Sequence, residues 1–283
     1  MNNKDFFGRN IMFFCDYHIH SAYSFDGDPS ATPTAICEEA INRGFTDIAI
    51  TDHLEANSDV EGLYPPYQAK AAFDAIMQAK ELFGKKLNIT YGIEIGQANQ
   101  YPDVANGLIS EFPVEFVLCS VHSLRGMQDF FFLDYPAMPE GEIQRLYFAY
   151  LDEVIEIINS TSRVDSIAHI TYPHRYIAQA GLTFDASCFA DKLSEVFGLM
   201  ISKEIALEIN SSTHAKGLGF TMPTADILSI YRECGGRLIT LGSDAHTVSA
   251  MGGSIPYAVE LAKSVGLDSA LVVRNSQKEL IKL

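Results

Sequence analysis

Histidines and carboxylates stand in pairs where apolar runs of the sequence end. His18 and His20 close the run "FFCDYHI", and Asp244 and His246 follow the run "RLITLG" with the same spacing. On a β-strand, residues two apart point to the same face, so each pair could bind one metal ion. One such pair proves little, and its meaning depends on whether other strands end in the same way.

Seven strand-like runs alternate with segments of helical periodicity. The strand candidates are "FFCDYHI", "DIAITDH", "NITYGIEI", "EFVLCSV", "VDSIAHI", "IALEIN" and "RLITLGSD"; the helical segments are 33–43, 67–83, 142–159, 186–201 and 224–234. This alternation predicts parallel strands joined by right-handed crossovers. No G-x-G-x-x-G motif follows the first strand, which disfavours a dinucleotide-binding sheet. A (β/α) barrel then remains, with its functional residues at the carboxyl ends of the strands.

The predicted strand ends carry most of the histidines. Six of the eight lie there, and a lone histidine of this kind would more often be a hydrogen-bonded structural residue. Closing a barrel would bring them together with several carboxylates, whose unpaired burial costs several kcal/mol each. Divalent cations remove that cost, and histidine with aspartate or glutamate suits Zn, Mn or Fe. In chain order the strand ends hold His18, His20 and Asp26; Asp52 and His53; Glu94; His122; His169; Glu208 and Asn210; Asp244 and His246. Two or three ions are predicted, because the ligands exceed the needs of one.

Composition narrows the functional class. The net charge of −16 argues against nucleic-acid or membrane-surface partners, which need a basic face, and no apolar run reaches the length of a membrane span. The five cysteines are scattered without a C-x-x-C pair, so free thiols and a cytoplasmic location are expected. Without repeats or linkers, the chain is predicted to be a single domain over 1–283. Its oligomeric state is not indicated.

The ordered motifs "DYHIHSAYS", "ITDH", "GIEIG", "VH", "IAHI", "EINSS" and "LGSDAH" resemble those of the PHP (polymerase and histidinol phosphatase) superfamily. The resemblance extends from about Asp16 to His246 and implies an α/β fold, a distorted (β/α)7 barrel, with a trinuclear metal site. By position, one ion would be held by His18, His20, Glu94 and Asp244; a second by Glu94, His122 and His169; a third by Asp26, His53 and His246. Many superfamily members have histidine where this chain has Asp26, and aspartate is an acceptable hard ligand there.

The motifs "EIN" and "TLGSDAH" are most similar to the histidinol-phosphate phosphatase branch. The predicted reaction is hydrolysis of L-histidinol phosphate to L-histidinol and phosphate, in histidine biosynthesis. Phosphate monoesters demand up to ~10²¹-fold acceleration, roughly 28 kcal/mol, whereas one hydrogen-bond donor supplies about 3–4 kcal/mol. Metal-activated water, rather than a protein nucleophile, is therefore expected. Glu94, Asp244 and His246 are predicted to be catalytic as well as ligands.

Contacts to the substrate phosphate are predicted for Arg175 and His174 in "ITYPHRY", for Lys216 in "SSTHAKG", and for Arg125 in the long aromatic loop after His122. The family often reads N-T-S-G-L-R after its sixth strand, and here Ala215 stands where that arginine would fall. Lys216 or His214 would replace it, as a point charge rather than a bidentate fork. The aromatic loop is either a lid over the substrate or a simple cover for the barrel.

Three alternatives remain open. A PHP phosphoesterase acting on nucleotides or another small phosphate ester would share every ligand. A metal-dependent amidohydrolase also begins with H-x-H, but many need a carboxylated lysine after the fourth strand, where this chain has His122 and no lysine between Lys86 and Lys192. A noncatalytic PHP domain would be expected to lose ligands, and this chain retains them.

Overall fold

Seven parallel strands with helices around them form a nearly closed barrel in the computed structural model, which describes residues 15–57, 64–139 and 141–283. The strands are β1 (Cys15–Ile19), β2 (Asp47–Ile50) with its continuation β3 (His53–Glu55), β4 (Asn88–Gly96), β5 (Phe116–Ser120), β6 (Ser166–Ile167), β7 (Ala206–Asn210) and β8 (Ile239–Gly242). They pair in the order β1-β2-β4-β5-β6-β7-β8, with β3 beside β4. The first two residues of the predicted first strand lie outside the described residues. The predicted fold class is confirmed.

The barrel closes through backbone hydrogen bonds between its first and last strands. The amide of Asp244 donates to the carbonyl of His18, and the amide of His20 donates to the carbonyl of Ala245, each at 2.8 Å. Both bonds lie just where β1 and β8 end. Closure therefore places His18, His20 and Asp244 side by side at the carboxyl end of the barrel.

The helices lie between the strands along the chain. They are α1 (Pro33–Asn42), α2 (Ala69–Phe83), α3 (Pro102–Glu111), α4 (Glu142–Ser160), α5 (Tyr172–Gln179), α6 (Ala190–Ser202), α7 (Ser212–Ala215), α8 (Ala225–Glu233) and α9 (Ile255–Ser264). In α1 the hydroxyl of Thr32 accepts from the amide of Ala35, and Pro33 occupies the first turn, where its missing N–H is harmless. Among the described residues, no helix is both long and apolar enough to cross a bilayer.

Four helices, α3, α5, α7 and α9, and one hairpin were absent from the sequence prediction. Helices α3, α5 and α9 are short, and α3 contains an Asn-Gly pair that favours turns, so local propensity alone does not indicate them. The hairpin joins β9 (Ser269–Arg274) to β10 (Gln277–Lys282) through Asn275 and Ser276, both with positive φ. Neither residue is glycine, and the pair therefore gives a weak turn signal.

The hairpin packs against the barrel near the start of the strands. The backbone amide of Val273 donates to the Tyr17 hydroxyl at 2.6 Å, and its carbonyl accepts from the side-chain Nδ2 of Asn88 at 2.7 Å. Arg274 forms two hydrogen bonds of 2.7 Å with the buried carboxylate of Asp47 at the first residue of β2. These contacts at the amino ends of the strands stabilise the fold. Functional residues are expected at the opposite end of the barrel.

Replacing Arg274 by alanine is expected to destabilise the fold by about 1–3 kcal/mol, because the buried carboxylate of Asp47 would lose a bidentate partner. Urea denaturation followed by circular dichroism would measure the change. The control is Lys282→Ala, an exposed lysine at the end of the same hairpin. Equal midpoints for the two variants would contradict this account of the hairpin.

Candidate metal centre

The carboxyl ends of the strands surround a cavity of about 440 Å³. His18 and His20 lie fully buried beneath it. The predicted ligands in its lining are Asp26, His53, Glu94, His122, His169, Asp244 and His246. All nine predicted metal ligands thus gather at one end of the barrel, in the overlapping groups His20–Asp26–His53–His246, His18–His20–Asp244, His18–Glu94–His169 and His53–Glu94–His122.

The carboxylate of Glu94 lies at the middle of the cluster and is fully buried. Its Oε2 atom is 3.1 Å from His18 Nε2 and 3.4 Å from His20 Nε2. Its Oε1 atom is 3.1 Å from His169 Nε2 and 3.3 Å from His122 Nε2. The two oxygens of one side chain therefore face two separate pairs of imidazoles, which is the arrangement of a bridging carboxylate.

Asp244 completes the group on the Oε2 side of Glu94. Its Oδ1 atom is 3.5 Å from His20 Nε2 and 3.8 Å from His18 Nε2. Ligands about 2.0–2.1 Å from a tetrahedral ion stand roughly 3.4 Å apart, so these spacings suit a shared cation.

A third group lies nearest to solvent. Asp26 Oδ2 is 2.8 Å from His246 Nε2 and 3.7 Å from His53 Nε2. The ring of His20 stacks between those of His53 and His246, at centroid distances of 4.3 and 4.1 Å. His53 also turns its Nδ1 atom to within 3.1 Å of Glu94 Oε2, so this imidazole stands between the third group and the bridging carboxylate.

The hydrogen bonds of His18 and His20 test whether the cluster fits a cation. His18 Nδ1 is 2.6 Å from Glu208 Oε1, and His20 Nδ1 is 3.2 Å from the Ser24 hydroxyl. With protons on both Nδ1 atoms, the two Nε2 lone pairs point at each other across 3.0 Å. Such converging lone pairs repel unless a positive charge lies between them. The donor set therefore fits divalent metal ions.

The pKa shifts of the cluster residues also bear on whether the cluster binds cations. Burial, with the nearby His246 and His53, lowers the pKa of His20 to about 3. The pKa of His18 is raised well above its ordinary value, because Glu208 and Glu94 outweigh burial, which would lower it. Burial would raise the pKa of Glu94, but facing imidazoles hold it well below its usual range. Protons and metal ions therefore compete for the same imidazole nitrogens.

Two carboxylates outside the predicted ligand set orient the imidazoles. Glu208 contacts His18 Nδ1 and also accepts from the amide of His169 at 2.7 Å. Glu55 Oε1 is 2.8 Å from His122 Nδ1. A carboxylate that accepts from the far nitrogen of a metal-binding histidine fixes its tautomer. The position of Glu55, two residues after His53 and therefore on the same face of β3, is compatible with this contact, but it does not show which imidazole Glu55 meets.

Two residues of the cluster have left-handed backbones. His169 has a φ of 25° and Asp244 has a φ of 53°. Residues other than glycine seldom adopt this region of backbone conformation. Conformations of this kind cost on the order of 1–3 kcal/mol and concentrate at functional sites. Both residues come just after the short strands β6 and β8, where such a turn directs the side chain into the barrel mouth.

Arg175 lies buried in the cavity wall beside the cluster. Its Nη2 atom donates to Asp244 Oδ2 at 2.8 Å and to the Ser212 hydroxyl at 2.5 Å. The guanidinium carbon lies 5.4 Å from the ring centre of Tyr172 and 6.0 Å from that of Tyr176. Its Nε is buried and has no hydrogen-bond partner in the described residues.

Lys216 also lines the cavity, whereas two other predicted phosphate contacts do not. Arg125 is exposed and pairs with Glu156 at 3.5 Å. The ring of His174 stacks on Phe220 at 4.3 Å, because its position on α5, next to Arg175, turns it about 100° away from the cavity side. Arg125 and His174 therefore lie outside the cavity lining.

His214, the alternative to Lys216, packs elsewhere. Its ring stacks on Tyr257 at 3.8 Å, and its Nδ1 atom is 2.8 Å from the Ser254 hydroxyl. Of the two candidates for the missing family arginine, Lys216 is the one in the cavity lining. Partial burial and the nearby charge of Arg175 lower the pKa of Lys216.

The aromatic loop after His122 both anchors itself in the core and reaches the cavity. Phe130 is fully buried, while Phe131 and Phe132 are each 61% exposed and belong to the cavity lining. The loop thus packs into the core through Phe130 and contributes to the cavity wall through Phe131 and Phe132.

The chain is similar to known proteins both in sequence and in fold. The profile of the PHP domain matches residues 16–212. A "Histidinol-phosphatase" of Lactococcus lactis is 28% identical over 260 residues, covering 89% of this chain and 91% of the relative. A "Probable histidinol-phosphatase" of Clostridium acetobutylicum is 27% identical, covering 89% and 94%. The crystal structure of histidinol phosphate phosphatase from Lactococcus lactis, complexed with zinc, L-histidinol and phosphate, has a similar fold, with a TM-score of 0.78, 24% identity and coverage of 94% and 98%.

Glu208→Gln is expected to weaken metal binding about ten- to a hundredfold, because an amide offers one acceptor oxygen where His18 and His169 require two. Competition with a chelator, followed by elemental analysis of the protein, would measure the loss. Glu233→Gln, at the exposed end of α8, makes the same chemical change far from the cluster and should retain its metal. Equal metal retention in both variants would show that Glu208 does not support the centre.

Proposed function

The chain belongs to the PHP domain family, and on this premise we propose that it is a metal-dependent phosphatase that hydrolyses L-histidinol phosphate to L-histidinol and phosphate. The proposal rests on the position of Glu94. Its two oxygens face separate imidazole pairs, and Arg175 lines the same cavity. The names of the curated relatives support histidinol phosphate as the ester. The five cysteines are free thiols, which suits a reducing cytoplasm and a place in histidine biosynthesis.

Two or three divalent ions, Zn, Fe or Mn, are proposed to occupy the cluster. One would bind His18, His20, Asp244 and Glu94 Oε2; a second would bind Glu94 Oε1, His122 and His169; a third would bind Asp26, His53 and His246. When bound, the cations neutralise phosphoryl oxygens and lower the pKa of a water molecule toward neutrality. The zinc in the related crystal structure supports this choice of metals.

The protein's own cations are proposed to hold the phosphoryl group. Arg175 would donate through its remaining N–H groups, while its bonds to Asp244 and Ser212 fix the guanidinium in place. Fixed donors stabilise a developing charge without having to reorganise during the reaction. Lys216 adds a second positive charge at the mouth of the cavity.

Asp244 is proposed to couple the two halves of the site. Its Oδ1 faces His18 and His20, and its Oδ2 accepts from Arg175. A shift of this carboxylate would therefore disturb metal and phosphate binding together. His246 Nδ1 is 3.0 Å from the backbone carbonyl of Asp244, so that nitrogen carries the proton and Nε2 is free to act as a ligand beside Asp26.

A panel of phosphate esters tests the proposal. Metal-reconstituted protein should release phosphate from histidinol phosphate with a higher kcat/KM than from a nucleotide monophosphate, glycerol phosphate or a phosphodiester. Strong nucleotide turnover without activity on histidinol phosphate would favour another PHP phosphoesterase. Absence of turnover on every ester would favour a noncatalytic PHP domain.

Arg175→Ala is expected to lower kcat/KM for every accepted monoester about ten- to a hundredfold, since a charge-assisted contact contributes roughly 1.5–3 kcal/mol. Lys216→Ala should act in the same direction. Steady-state phosphate release would measure both, with metal content determined in parallel so that a loss of metal through Asp244 is separated from a loss of phosphate binding. Arg125→Ala removes an arginine outside the cavity and serves as the control; an equal loss in that variant would contradict the assignment of Arg175.

A further inference from the structure

Asp129 differs from the other carboxylates that line the cavity. Four of them, Asp26, Glu55, Glu94 and Asp244, lie within 4 Å of an imidazole of the cluster. In the part of the chain that the structure describes, Asp129 forms no ion pair with a histidine, lysine or arginine. It is a cavity carboxylate that the metal centre does not use.

Neither hydrogen bond to the Asp129 carboxylate comes from a charged group. Oδ1 accepts from the amide of Phe131 at 2.7 Å, and Oδ2 accepts from the Tyr64 hydroxyl at 3.3 Å. Both donors are neutral. Burial raises the pKa of the Asp129 carboxyl, although His122 acts in the opposite direction. A positive charge on a ligand would offset that penalty.

Aromatic residues line the same cavity as this carboxylate. The ring of Tyr64 lies 4.8 Å from that of Phe25, and the ring of Phe131 lies 5.7 Å from that of Tyr176. Phe25 and Phe131 are 40% and 61% exposed, so apolar faces remain uncovered at the cavity mouth. Aromatic faces together with a carboxylate form the environment that organic cations prefer.

We infer that Asp129 binds the ammonium group of the substrate's alcohol portion, while the aromatic rings of the cavity pack against its heterocycle. The inference rests on the proposed function and names the residue that selects the leaving group. The cavity would thus bind both ends of an aminoalkyl phosphate. The metals and Arg175 would bind the phosphoryl group, and Asp129 would bind the ammonium group. An anionic group at the second position would be repelled by the carboxylate, which disfavours esters with a second phosphate or a carboxylate.

A purely structural role for Asp129 can be separated from this one. Asp129 caps the 3₁₀ turn Phe130–Phe132 through its bond to the amide of Phe131. Asparagine has the same shape and caps almost equally well. Asp129→Asn therefore removes the charge and keeps the turn. The matched control is Asp134→Asn in the same loop, where the carboxylate is exposed, lies outside the cavity lining and makes no capping bond.

Calorimetric titration of the metal-loaded protein with L-histidinol, and with its analogue lacking the amino group, is the test. Wild type and Asp134→Asn should prefer L-histidinol to the analogue by about ten- to a hundredfold. In Asp129→Asn this preference should fall to nearly one. KM for histidinol phosphate should rise in Asp129→Asn more than kcat falls, because ground-state binding is lost.

The outcomes distinguish this inference from the proposed function. An unchanged preference for the amine in Asp129→Asn, or failure of the wild type to prefer it, would overturn the inference even if histidinol phosphate is hydrolysed. Binding of L-histidinol that depends on Asp129, without phosphate release from histidinol phosphate, would support the inference and remove the proposed function.

Discussion

The structure depends on how one fully buried carboxylate, Glu94, is neutralised. An ionised carboxylate away from water is strongly destabilising unless opposite charges surround it. Five imidazole nitrogens stand within 3.4 Å of its two oxygens, contributed by residues at or just after β1, β3, β5 and β6. Strand β4 is the longest in the barrel and pairs with β2, β3 and β5, so its end is held rigidly at the centre of the cavity floor. Because the imidazole lone pairs also converge, metal cations can take the place of protons as the partners of this arrangement.

A second layer of hydrogen bonds keeps the inner groups in place. Glu208 and Glu55 orient imidazoles on opposite sides of Glu94, and Asp244 joins the cluster to Arg175. Among the described residues, the far end of the barrel carries none of this chemistry, and the C-terminal hairpin contacts it through Arg274. Stability and function are therefore separated along the barrel axis, and changes at one end should perturb the other little.

The parts of the site that repeat with strand periodicity could be predicted from the sequence. The seven barrel strands and the gathering of six histidines at one end follow from apolar runs and from the position of polar residues after them. The roles of Glu55, Glu208 and Asp129 could not be predicted in this way, because they depend on which strands become neighbours and on how the loop after β5 folds back. Sequence proximity was also misleading at His174, which adjoins Arg175 in the chain but faces Phe220. The hairpin was missed because two positive-φ residues that are not glycine make its turn.

Anomalous diffraction from crystals of protein never exposed to chelator tests most directly whether Glu94 bridges two metal ions. Data collected on either side of the zinc, iron and manganese absorption edges would locate and identify each ion. Two anomalous peaks are expected, one beside each oxygen of Glu94, with a further peak beside Asp26 if the third site is filled. A single peak, or peaks that do not contact Glu94, would contradict the bridging carboxylate on which the rest of the site is built.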